Sequence, residues 1–75
     1  MSQLTANIAS LPDRENVVFE IWQGPRQLAE VSREPGKPME IEIYPATDGG
    51  IWSLELEPLV SLLNQAVANL TSTTP

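Results

Sequence analysis

Residues 17–22, Val-Val-Phe-Glu-Ile-Trp, are β-branched or aromatic apart from Glu20, the composition of a strand. Val17, Phe19 and Ile21 project to one side; Val18, Glu20 and Trp22 project to the other. Gly24-Pro25 interrupts the run. Gly24 can adopt a positive φ and Pro25 has no amide donor, which suits a tight hairpin. Residues 27–33 then read as the returning strand. A two-residue loop aims Leu28 at the core, whereas a three-residue loop aims Ala29 and Val31 there, and the pattern leaves both open. Glu34-Pro35-Gly36-Lys37-Pro38 is a turn-forming connection. Residues 39–44 alternate strictly, with Met39, Ile41 and Ile43 inward and Glu40, Glu42 and Tyr44 outward. Thr47-Asp48-Gly49-Gly50 predicts a second hairpin. Trp52, Leu54 and Leu56 then alternate with Ser53, Glu55 and Glu57 as a fourth strand.

At Pro58 the period changes from two to 3.6. Pro58 fits the first turn of a helix, where its missing N–H is not needed. Glu57 suits the positive end of the helix dipole. Leu59, Leu62, Leu63, Ala66, Val67 and Leu70 recur on one helical face. In residues 1–12, Leu4, Ile8 and Leu11 share helical spacing until Pro12, so this segment reads as a short helix or an extended arm. The chain thus divides into an N-terminal arm (1–13), one domain (14–70) and a frayed polar tail (71–75). The expected fold class is α+β: a four-stranded antiparallel meander with the C-terminal helix packed on one face. That helix, residues 58–70, is expected over Phe19, Ile21, Ile41, Ile43 and Leu54.

Seventy-five residues suffice for a single small domain. Ten acidic and four basic side chains give a net charge of −6. The bases Arg14, Arg26, Arg33 and Lys37 all precede Met39, and only acids follow. Such a balance repels phosphate and disfavours nucleic-acid binding, while suiting a basic protein partner. The N-terminus lacks the pattern of a secretory signal, and no run approaches the length of a membrane span. A cytoplasmic location without membrane association is expected.

Histidine and cysteine are absent, which excludes imidazole bases, thiolate nucleophiles, disulfides and the common zinc sites. Lys37, the lone lysine, sits in a turn where no burial would lower its pKa. Glu40 and Glu42 share a strand face about 7 Å apart, but regular alternation places carboxylates on solvated faces anyway. No phosphate-cradling glycine loop and no calcium loop is present. The expectation is a protein without catalysis, cofactor or metal.

Trp22 and Tyr44 fall out of phase with the core positions of their own strands, whereas Trp52 is in phase with Leu54 and reads as core. The open sheet face therefore carries two aromatic anchors, Trp22 and Tyr44, with Glu20, Glu40, Glu42 and Glu55 expected around them. Large aromatics ringed by charge are candidate association anchors; the alternative is that the N-terminal arm folds over them.

The segments E-I-W-Q-G, E-I-E-I-Y-P, I-W-S-L-E-L-E-P-L and L-L-N-Q-A, spread over residues 17–70, resemble small bacterial immunity proteins. The resemblance implies an acidic protein made beside a toxin that it neutralises by binding, and it brings no catalytic residue. The expected function is a non-enzymatic inhibitor of the immunity or antitoxin type, acting on a basic protein. Two alternatives are a phage or mobile-element anti-defence protein that mimics nucleic acid, and a structural or assembly subunit that homodimerises through the open face.

Overall fold

The computed structural model describes residues 3–46 and 49–72. It is an α+β arrangement: four antiparallel strands in the order β1-β2-β3-β4, followed by one helix. The strands are β1 (Leu4–Ala9), β2 (Val18–Gln23), β3 (Arg26–Ser32) and β4 (Glu40–Ile43), and the helix is α1 (Leu56–Ser72).

Two strand assignments differ from the sequence reading. The N-terminal segment, read as a short helix or an extended arm, is extended and pairs as an edge strand of the sheet. Leu4 faces Gln23, Ala6 faces Ile21 and Ile8 faces Phe19. Leu4 and Ile8 fit a period of two as well as 3.6, and the unpaired backbone edge of β2 decides between them. Conversely, residues 50–55 form no strand. Trp52 and Leu54 still pack against the core, so alternation marked their side chains correctly and their backbone wrongly. Side chains anchor this segment instead: the Trp52 Nε1 donates to the Tyr44 carbonyl at 2.7 Å, and the Gln23 Nε2 donates to the Ser53 carbonyl at 3.3 Å. Arg26 adds a cation–π contact, 5.3 Å from the Trp52 ring centre. Thr47 and Asp48 of the expected second hairpin lie outside the described residues.

The β2–β3 hairpin settles the register. Gly24 has φ of 57°, the positive value needed at the first position of a type II′ turn, and Pro25 supplies the negative φ that follows. Gln23 faces Arg26, and Trp22 faces Gln27, yet Ile21 faces Ala29. Leu28 is therefore the extra residue of a β-bulge. The loop has two residues, and the bulge brings Leu28, Ala29 and Val31 all into the core. The Leu28 carbonyl is not lost to pairing, because it accepts from the Tyr44 amide at 2.9 Å.

The core comprises Phe19, Ile21, Leu28, Ala29, Val31, Ala66 and Leu70, with Leu4, Val17, Met39, Trp52, Leu54, Leu59, Leu62 and Leu63 partly buried against it. Helix α1 begins two residues earlier than expected and lies over β1 and β2. It does not cover β4. Ile41 and Ile43, expected beneath it, are exposed, and so are Leu56 and Val67, which were expected inward. A cavity of about 210 Å³ remains between the helix and the β3–β4 half of the sheet, lined by apolar side chains including Ile41, Ile43, Leu59 and Leu63.

Candidate functional site

The face of the sheet opposite α1 is where the strands bring carboxylates together. Asn7 is registered with Glu20, Glu20 with Glu30, and Glu30 with Glu42. A row of three glutamates therefore crosses β2, β3 and β4 at neighbouring-strand spacing, about 4.8 Å per step. Like charges directly opposite one another destabilise a sheet. Some of that repulsion is relieved locally. At one end of the row, the Asn7 Nδ2 and the Trp22 Nε1 both donate to the same Glu20 oxygen, each at 3.3 Å. At the other end, the Arg14 guanidinium bridges Glu30 at 2.7 Å and Glu42 at 2.9 Å. The Tyr44 hydroxyl donates to the second Glu30 oxygen at 3.3 Å.

Arg14 comes from the β1–β2 connection, residues 10–17, which closes over one end of this face. The Asn16 side-chain amide donates to the Arg33 carbonyl. The Glu34 carboxylate accepts from the backbone amides of Glu15 at 2.9 Å and Asn16 at 3.1 Å. Under this connection Val18 is fully buried and Ser32 and Glu30 nearly so. Of the two readings of this face, open or covered by the N-terminal segment, the structure shows Trp22 half-buried and Val18 fully buried.

The electrostatics follow from these contacts. Partial burial pulls against the charged form of Arg14, but the hydrogen bond to Glu42 and the charges of Glu30, Glu42 and Asp13 outweigh it and hold the guanidinium above its ordinary pKa. The Glu15 amide, helped by that of Asn16, holds the Glu34 carboxyl below its usual range despite desolvation. Burial pushes the Tyr44 phenol up, and the neighbouring Glu30 charge and hydrogen bond add to the shift.

Of the residues singled out from sequence, Glu20, Trp22, Glu40, Glu42 and Tyr44 do share this side of the sheet. Trp22, Glu20 and Tyr44 are half-buried, and Glu40 and Glu42 are exposed. Glu55 is a correction. It lies in the irregular segment before α1 and is no part of the sheet, because the strand expected to carry it does not form. Glu30, Arg14 and Asn7 were missed. Glu30 becomes visible only once the bulge sets the register of β3. Arg14 lies in a connection whose path no periodicity reports. Among the described residues, no group of three or more carboxylates is arranged to hold a metal ion, and no helix is long and apolar enough to cross a membrane.

No family model matches this chain, and neither the curated proteins nor the solved structures contain a match to it.

Proposed function

We propose that this chain is a non-enzymatic binding protein whose acidic sheet face engages a basic protein partner, in the manner of an immunity-type inhibitor. The observation that carries the reading is the registered row Glu20–Glu30–Glu42: Arg14 neutralises charge only at the nearly buried Glu30 and at Glu42, so the exposed Glu40 and Glu42 and the half-buried Glu20 leave net negative charge on this face. Folding alone gains nothing from opposed carboxylates, and a basic side chain from a partner would relieve what Arg14 leaves uncompensated. Trp22, beside Glu20 on the same face, supplies apolar area for an anchor. The absence of histidine and cysteine from the sequence supports binding over catalysis.

The test is capture from extracts of the native host at low salt, with the wild-type chain beside a Glu20→Gln/Glu40→Gln/Glu42→Gln variant. A basic protein retained by the wild type and released by the variant supports the reading. Equal retention by both, or a captured protein that is acidic, overturns it. Competition by duplex DNA then separates the two inhibitory alternatives: a nucleic-acid-binding enzyme blocked by charge mimicry is displaced by duplex, and a toxin bound elsewhere is not.

A further inference from the structure

Helix α1 has a second apolar flank that the core does not use. Leu59, Leu63, Ala66 and Leu70 point into the sheet. On one side of that stripe, Gln65 and Asn69 face Ala6 and Ile8 of β1. At 100° per residue, Leu56, Val60 and Val67 fall together on the other side, the side of β3 and β4. They are 71%, 46% and 52% exposed, and Ile41 and Ile43 on the uncovered sheet beside them are 45% and 65% exposed. A helix lying over half a sheet thus leaves a step whose floor is the apolar face of β4 and whose wall is the flank of α1.

We infer that this step is a homodimer interface, closed by the same step of a second copy. Two features select a second copy as the occupant. The first is charge. Each copy carries −6, so two copies repel over most of their surface. Residues 58–71 contain no charged side chain, and the glutamate row lies on the opposite face of the sheet. From Val60 to Val67 the α1 flank is therefore an approach along which two copies meet little repulsion, the nearest acids being Glu55 and Glu57 beside Leu56 at its N-terminal end. The second is area. The five exposed side chains leave on the order of 500 Å² of apolar surface, toward the upper end of the ~300–600 Å² that a monomer's largest patch exposes. With Glu57, Ser61, Asn64 and Ala68 as a rim, the patch approaches the roughly 800 Å² per partner of a standard interface. A two-fold axis makes the contact reciprocal: the flank of each helix sits on the partner's β4 face. This surface differs from the open face, so the dimer and the proposed acidic interface can coexist.

Sedimentation equilibrium of the full chain over a wide concentration range provides the test. The expected result is a monomer–dimer equilibrium that tightens with added salt, because screening weakens the −6/−6 repulsion. Val60→Glu with Val67→Glu should give monomers with an unchanged circular dichroism spectrum, and so should Ile43→Glu alone. Should a glutamate variant fail to fold, Val60→Ser with Val67→Ser is expected to raise the dissociation constant at least tenfold. Trp22→Ala should leave the dimer intact. A single species of monomer mass at all concentrations overturns the inference. So does a dimer that survives the Val60 and Val67 substitutions, or one that Trp22→Ala abolishes.

Discussion

Arg14 holds together charges that would otherwise face each other unrelieved. Replacing it by methionine keeps much of the side-chain volume and leaves Glu30 and Glu42 opposed, with Glu30 nearly buried. The urea midpoint should fall, and adding Glu30→Gln to the same chain should recover part of the loss, since the lost contact and the exposed repulsion are one effect. Two other residues set the response to pH. The Glu34 carboxyl titrates below its ordinary 4.5 in the fold, principally because the Glu15 amide donates to it. Its contribution is therefore present above that pH and lost as pH falls through the lowered folded value. Glu34→Gln should flatten the acid limb of stability measured by urea titration at successive pH values. Tyr44 has the opposite sign. Burial raises its phenol above 10.0, so its stabilisation is complete below pH 10 and declines as pH rises through the folded value. Tyr44→Phe should remove that alkaline decline while leaving the acid limb unchanged.

At the scale of elements, the bulge and the helix set the architecture. Gly24→Ala places a Cβ on a residue with φ of 57°, at a cost of about 1–2 kcal/mol, and thermal unfolding should show it directly. Leu70 is fully buried under α1, and Leu70→Ala should cost about 2–5 kcal/mol by denaturant titration. Leu63→Ala should cost less, because Leu63 is only partly buried and borders the cavity beside β4. An equal or larger effect at Leu63 would mean that α1 covers the β4 half of the sheet after all. The alternation of residues 39–44 and the 3.6-residue stripe of the helix were legible because each marks a surface that must leave water. Strand β1 was not, since Leu4 and Ile8, four residues apart, satisfy a period of two and a period of 3.6 alike. The segment at Trp52 and Leu54 misled for a related reason: alternation reports where side chains go, and only hydrogen bonding makes a strand.

For the whole molecule, charge and anchors act on different rate constants. In complex with the captured partner, Trp22→Ala should chiefly speed dissociation, costing about 2 kcal/mol or more where an aromatic anchor is a hot spot. Glu20→Gln with Glu40→Gln should chiefly slow association and flatten its dependence on salt. Stopped-flow association and dissociation at several ionic strengths separate the two effects. A variant pair that changes only dissociation would place the carboxylates inside the contact and remove their steering role.

The linear pattern by itself determined the α+β class, three of the four strands (β2, β3 and β4), the helix, the inward identity of Phe19, Ile21 and Trp52, and the net charge. These follow from local alternation, helical spacing and composition, which need no knowledge of what a residue meets. Tertiary structure alone decided which segment completes the sheet, because the unpaired edge of β2 captured residues 4–9. It decided that Leu28 and Ala29 share the core, because the bulge adds a residue that no period encodes. It also decided that Glu20, Glu30 and Glu42 form one row with Arg14 across it, and that α1 stops short of Ile41 and Ile43. Each of these depends on register or on the lateral placement of one packed element over another, and both are set by partners distant in the chain.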